Sequence, residues 1–234
     1  MVMIKESIIC CYQLNLLISS SYSRQEANRK SISMTVSSIV AVFDFDNTLT
    51  DRDSLLPFLF CIQGIWKTSC HLALLGLDFA RFLVGNLSRQ GVKEKIFTRF
   101  IGGWRFADVQ ALGQRYADQQ LDRYLRPEAL ERLAWHQAQG HRCLLVSASL
   151  DFYLKPWAMR HGFEAVLSSS LEITPDGYVT GRLVGLNCWG PEKARRLLAY
   201  LGSKENYQLY VYGDSRGDRE ILALADYPFY RTFR

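Results

Sequence analysis

The sequence predicts an α/β fold, a doubly wound parallel sheet interrupted by an inserted helical block. Three observations predict it. Short apolar runs recur, each ending in acidic or small polar residues: Ile39–Phe43 before Asp44, Cys143–Val146 before Ser147, and Leu209–Tyr212 before Gly213 and Asp214. Stretches with helical spacing separate these runs, and such alternation implies parallel strands with helices on both faces. One long helical stretch, residues 55–125, falls between the first run and the rest.

The first run, Ile39-Val40-Ala41-Val42-Phe43, is apolar at every position, as a strand buried on both faces must be. It ends in Asp44-Phe45-Asp46-Asn47-Thr48. Residues two apart in extended chain point to the same side, and open α/β sheets hold ligands at the carboxyl edge of their strands. Asp44 and Asp46 can therefore approach one bound group, one as nucleophile and the other as proton carrier. Turn chemistry is the plainer alternative for two aspartates. A calcium loop fails in detail: counted from Asp44, the sixth residue is Leu49 rather than Gly, and the twelfth is Leu55 rather than Glu.

The inserted block changes character along its length. Ser54–Leu87 is rich in Leu, Phe and Trp, with Lys67, Asp78 and Arg81 as its only charges. Val92–Leu125 is more polar, with helical spacing at Val109, Leu112 and Tyr116 and again at Leu121 and Leu125. Pro127–Gln139 continues as a helix stopped by Gly140. Cys143–Val146 is a second buried strand, ending in Ser147-Ala148-Ser149, and Asp151 opens a helix that runs to Arg160. A hydroxyl beside a helix N-terminus suits a phosphate, although Ser147 alone reads equally well as a helix cap. Glu164–Leu167 forms a short strand, and Leu171–Thr174 and Tyr178–Thr180 flank Pro175-Asp176-Gly177 as a hairpin. Gly190-Pro191-Glu192-Lys193 opens another helix, with Pro191 where a first turn accepts it and Lys193 offering a cation. The last strand, Leu209–Tyr212, ends in Gly213-Asp214-Ser215-Arg216-Gly217-Asp218, with two carboxylates four residues apart at a helix start. Asp214 and Asp218 also read as a cap and a first-turn acid.

Composition narrows the class. The 234 residues are 48% hydrophobic and 22% charged, enough for one α/β core plus an insertion. The net charge of +5 is scattered, with no basic stripe interleaved with aromatics, so no nucleic-acid partner is expected. A modest positive charge suits anionic substrates or anionic membrane surfaces. Cys10, Cys11, Cys61, Cys70, Cys143 and Cys188 form no Cys-x-x-Cys pair, which argues against zinc and for a reduced, cytoplasmic setting. Cys143 falls in a core strand and reads as a small buried hydrophobe. Residues 1–37 stand apart: an interrupted apolar piece, Ile8–Ile18, precedes a Ser-rich stretch. They are expected to contribute little to the fold, as a disordered extension or as residues preceding a true start at Met34.

The order Asp-x-Asp-x-Thr at Asp44, strand-Ser at Ser147, Lys193, then Gly-Asp-Ser-x-x-Asp at Gly213 resembles the haloacid dehalogenase superfamily. Within it the chain looks like the branch of phosphoserine phosphatases and related small-molecule phosphatases, from about Ile39 onward. The resemblance implies a Rossmann-like core of residues 38–54 and 126–234, with residues 55–125 as a helical cap over the active site. It implies that Asp44 is a nucleophile forming an aspartyl-phosphate and that Asp46 protonates the leaving alcohol and then activates water. Ser147 and Lys193 would hold phosphoryl oxygens. Mg²⁺ would sit on Asp44, Asp214 and the backbone carbonyl of Asp46, with Asp218 orienting Lys193. Thr48, Asp53 and Ser149 complete the implied substrate contacts. An acid at position 46 favours hydrolysis over the ion pumps, which resemble this motif but carry Thr there. Chemically the set is sound, because phosphoryl transfer needs charge neutralisation and positioning.

Substrate identity is less defined. Asp53 lies where phosphoserine phosphatases carry an acid for the substrate amine. However, Ser147-Ala148-Ser149 replaces their Ser-Gly-Gly, and Gly217 replaces the Asn before the final acid. The segment Asn187–Lys193 and the apolar cap look more like a sister group that includes phosphatidylglycerophosphate and histidinol-phosphate phosphatases. The expected activity is therefore Mg²⁺-dependent hydrolysis of a small phosphate ester. Two alternatives stand beside it: hydrolysis of a lipid phosphate, with peripheral membrane contact through the cap, and an inactive phosphate-binding module. His71–Val84 is too short and interrupted to read as a membrane span, and serves either as a buried cap helix or as an edge that docks on a bilayer.

Overall fold

The computed structural model describes residues 38–233, so the expectations for residues 1–37 lie outside the described residues. The centre is a five-stranded, all-parallel sheet of order β3-β2-β1-β6-β7. Its strands are β1 (Ser38–Phe43), β2 (Arg142–Leu150), β3 (Ala165–Ser169), β6 (Tyr207–Gly213) and β7 (Tyr227–Tyr230). Strand order runs outward in both directions from β1. The switch point therefore falls between β1 and β6, where such sheets hold their ligands. Val40 to Phe43 are fully buried, which explains why an unbroken apolar run, not an alternating one, encodes β1.

Two helices cover the segment rich in Leu and Phe, α1 (Leu55–Leu74) and α2 (Gly76–Leu83), and two more follow, α3 (Arg89–Ile101) and α4 (Phe106–Gln119). The core then adds α5 (Pro127–Ala138), α6 (Asp151–Arg160), α7 (Pro191–Leu201) and α8 (Arg219–Leu224). The third strand starts one residue later and ends two residues later than its sequence suggests. β7 lacks any sequence expectation because Tyr-Pro-Phe-Tyr carries a proline that cannot donate to a ladder. It is tolerated at this edge of the sheet.

The entry and exit of the inserted block are tied together. Asp51 N–H donates to the Tyr124 carbonyl at 2.8 Å, Arg126 N–H donates to the Leu49 carbonyl at 2.8 Å, and Thr50 bridges Leu125. The predicted hairpin forms β4 (Leu171–Ile173) and β5 (Val179–Leu183), a separate antiparallel pair. It clasps the turn between α3 and α4: Gly103 N–H donates to Val179 O, Val179 N–H to Trp104 O, and Phe106 N–H to Gly177 O. Gly181 (φ +89°) lies so close to Thr98 that a Cβ would meet its Cα at 2.4 Å. The α3–α4 part of the inserted block is thus tied to the hairpin. A single apolar cluster runs from Phe43 and Phe45 through Phe58, Phe97 and Tyr116 to Trp157, so cap and sheet share one interior.

Candidate active site

The carboxyl ends of β1, β2 and β6 and the start of α7 converge on a cavity of about 420 Å³. Asp44 leaves β1 with its N–H held by the Tyr212 carbonyl of β6 at 2.9 Å. Lys193 enters from the first turn of α7, 2% exposed, and its ammonium donates to Asp44 Oδ1 and Asp218 Oδ1 at 2.6 Å each. The second oxygen of Asp218 accepts from Asp214 N–H and from both the N–H and hydroxyl of Ser215. Gly213 permits this fold-back, since a Cβ there would lie 2.6 Å from the Asp218 Cβ.

One ammonium cannot balance two buried carboxylates. Burial by itself would lower Lys193, but Asp44 and Asp218 outweigh it and hold the lysine above its ordinary value. Burial would likewise raise Asp218, but Lys193 and Ser215 outweigh it and the carboxyl is lowered. Asp44 goes the other way: burial, reinforced by Asp218 and Asp46, pushes it well above the usual range despite Lys193. The floor of the site therefore lacks the positive charge needed to keep both carboxylates ionised. Carboxylate oxygens of Asp44, Asp214 and Asp218 lie within 4.8 Å of one another. These three carboxylates could hold a cation, and an all-oxygen donor set suits a hard one such as Mg²⁺.

Asp46 faces the cavity but belongs to a different network. Its Oδ1 accepts from Ser54 N–H at 2.7 Å and its Oδ2 from the Ser149 hydroxyl. Behind it, Ser54 Oγ contacts Ser149 Oγ (3.3 Å) and Tyr153 OH (3.2 Å), while Tyr116 OH donates to Ser54 O. Burial, followed by repulsion from Asp53, raises Asp46 to about 6 against the pull of Ser149 and Ser54. Asn47 turns the chain here with φ +59°, a left-handed conformation that Asn tolerates.

The other expected residues divide. Ser147 lines the cavity, and its hydroxyl accepts from Ser149 N–H at 3.1 Å. Asp53 lines it too, while its Oδ1 accepts from Leu55 N–H at the head of α1. Ser149, expected at the substrate, donates its hydroxyl to Asp46 Oδ2 in this arrangement and so also supports that carboxylate. Thr48 lies apart from the cavity lining: it is buried beneath the loop, its hydroxyl has no partner among the described residues, and it borders a separate crevice with Tyr212 and Phe229. Asp46 contributes no side-chain oxygen to the carboxylate cluster.

Several residues at the cavity escaped sequence reasoning. From the cap come Phe82, Arg89 and Lys93; from the loop before α7 come Asn187 and Trp189. Lys93 donates to Ala148 O at 2.9 Å and Asn187 Oδ1 at 3.3 Å, and burial lowers it. Arg89 lies 4.8 Å above the Trp189 ring. The i,i+4 spacing of Arg89 and Lys93 on a helix face was the available signal. Gly217 is explained by the same loop: a Cβ there would sit 2.3 Å from the Trp189 indole nitrogen.

Residues 41–223 match the family described as haloacid dehalogenase-like hydrolase, and the chain belongs to that family. It is an enzyme, and its class is phosphatase. Among similar proteins, CicA of Caulobacter vibrioides is 30% identical over 199 residues, covering 84% of this chain and 87% of CicA. A histidinol-phosphatase of Neisseria meningitidis is 23% identical over 213 residues, covering 81% of this chain and 88% of that enzyme. A phosphoserine phosphatase solved as a phospho-aspartyl intermediate analogue shares the fold, with TM-score 0.52 and 17% identity over 80% of this chain and 83% of that one.

Proposed function

We propose that this enzyme is a Mg²⁺-dependent phosphomonoester hydrolase of a small phosphorylated metabolite, working through an aspartyl-phosphate on Asp44. One observation carries the reading. Asp44 shares a buried floor with Lys193, Asp214 and Asp218, while Asp46 faces the same cavity from its own hydrogen-bond network.

In the first step an Asp44 oxygen bonds to phosphorus as the ester P–O bond breaks, and Asp46 gives its proton to the departing alkoxide. In the second, Asp46 takes a proton from water as that water bonds to phosphorus and frees Asp44. Lys193 spends two of its three N–H donors on carboxylates, which leaves one for a phosphoryl oxygen beside the Ser147 hydroxyl. Asp44 and Asp214, with the Asp46 backbone carbonyl, would hold Mg²⁺. When bound there the ion offsets the charge of carboxylates and phosphoryl group alike. Among the described residues, the free thiols of Cys61, Cys70, Cys143 and Cys188 are in keeping with a reduced cytoplasmic setting.

The histidinol-phosphatase and phosphoserine phosphatase names support a soluble phosphorylated amino-acid derivative as substrate. A second reading, a lipid phosphate, is favoured by the exposed apolar residues of α1 and α2. The test is phosphate release with and without Mg²⁺ from phosphoserine, histidinol phosphate, sugar phosphates and a phosphorylated lipid in micelles. Asp44→Asn is expected to lose at least about 10⁴-fold in turnover. Equal release by wild type and Asp44→Asn would overturn the mechanism. Phosphate binding without release from any ester would favour the inactive module.

A further inference from the structure

The outer face of α1 and α2 is built the wrong way round for a helix in water. Exposed residues recur at helical spacing, and the large ones are apolar: Ile65, Trp66, Leu74, Leu77, Leu83 and Val84 are each between 64% and 83% exposed. The inner face is satisfied already, with Phe58, Leu59 and Leu75 packed into the shared core. Single exposed leucines are ordinary, but six large apolar side chains on one bent helix pair mark an interaction surface.

Charge identifies the partner. Between Leu56 and Ile101, the exposed charged residues are Lys67, Arg81, Arg89, Lys95 and Arg99, all positive. The two acids of that stretch, Asp78 and Glu94, are half-buried. Asp78, Lys95 and Arg99 border a surface hollow with Leu74, so the cations lie beside the apolar face. A two-fold contact with a second copy would bring Lys67 and Arg81 toward their own counterparts, which is unfavourable. An anionic lipid surface welcomes both features, apolar residues below the headgroups and cations among them. Among the described residues no single helix is long and apolar enough to cross a membrane, and α1 and α2 meet at a bend of 53°. That shape suits lying in the interface.

We propose that the outer face of α1 and α2 docks on an anionic phospholipid bilayer. The catalytic cavity opens beside this face, since Phe82 lines the cavity while its neighbours Leu83 and Val84 point outward. Docking thus holds the mouth of the site at the headgroup layer.

The test is sedimentation of the full chain with vesicles of mixed phosphatidylglycerol and phosphatidylcholine, or of phosphatidylcholine alone, at low and high salt. Wild type is expected to favour the anionic vesicles by at least about tenfold at low salt, with most of that preference lost at high salt. Trp66→Ser with Leu77→Ser should lose about tenfold in partitioning, and Lys67→Gln with Arg81→Gln several-fold on anionic vesicles. Thermal melts at wild-type temperature show that both pairs fold. The proposal is overturned if wild type stays in solution with both vesicle types, or if Trp66→Ser with Leu77→Ser binds as wild type does. It is equally overturned if wild type ignores vesicles and forms a dimer that the apolar pair abolishes, which would assign the face to a second copy. Sedimentation reads binding whether or not an ester is hydrolysed, so failure of the phosphatase reading leaves this result separate.

Discussion

The floor and the roof of the catalytic cavity follow opposite rules. The floor, at the strand ends, is buried and over-determined: Lys193 and Asp218 each have several charged or backbone partners and almost no exposure. The roof, on α2 and α3, offers Phe82, Arg89 and Lys93 with few partners. The helices behind it turn apolar residues to solvent. A site that must hold charge away from water needs every group paired or poised for a ligand. Elements that open and close over a site are generally drawn from the less stable parts of a fold. The contrast teaches that chemistry and selection are carried by regions with different energetics.

The sharpest way to break this contrast is Lys193→Met. It strands two buried carboxylates, so a loss of about 3–5 kcal/mol in urea unfolding is expected together with loss of turnover. Unchanged stability would mean that the floor is not held by this charge network.

Next in size is a pH effect beneath the floor. His136 is fully buried, packs edge-on to Phe43, and its Nε2 lies 2.9 Å from Tyr212 OH. Burial first, then His141 and Arg132, lowers its imidazole from 6.5 to about 4. Between those values the unfolded chain binds a proton that the folded chain refuses. Its contribution to stability is thus complete above about pH 6.5 and is lost as pH falls through 4, by up to about 3 kcal/mol. Unfolding free energies measured from pH 7 to 4 should fall less steeply in His136→Gln; parallel curves would remove His136 from the account.

Smaller still is Ser149→Ala. If Asp46 is the proposed acid and base, losing this hydrogen bond should lower kcat by about 10- to 100-fold with little change in KM. A rise in KM alone would restore Ser149 to the substrate contacts. The smallest effect is expected from Trp66→Ser. An 83% exposed side chain contributes little to the fold, so stability and turnover of a small soluble ester should stay within about 0.5 kcal/mol of wild type. A large loss would show that the outer face packs against something within the chain.

The clustering of Asp44, Asp46, Ser147, Lys193, Asp214 and Asp218 was legible because each sits at or near the carboxyl end of a strand or a helix start. There local sequence dictates both backbone and exposure. The placement of Thr48 and Ser149 was not legible, because motif membership does not say which way a hydroxyl turns. Thr48 went under the loop and Ser149 to Asp46. Ser54, Tyr116 and Tyr153 carry no local signal, since partners 62 to 99 residues apart in the chain meet only once the inserted block has packed.

The sequence by itself determined the parallel sheet, the order of its motifs, and a floor rich in carboxylates with one lysine. Unbroken apolar runs and the residues that end them encode these directly. Only the tertiary structure decided which carboxylates share the lysine, what holds Asp46, and which cap side chains reach the cavity. It also decided that the apolar residues of α1 and α2 divide between an inner face and an outer one. Those outcomes depend on contacts between distant segments, and a helix's apolar stripe reports that a partner exists without saying whether that partner is the protein's own core.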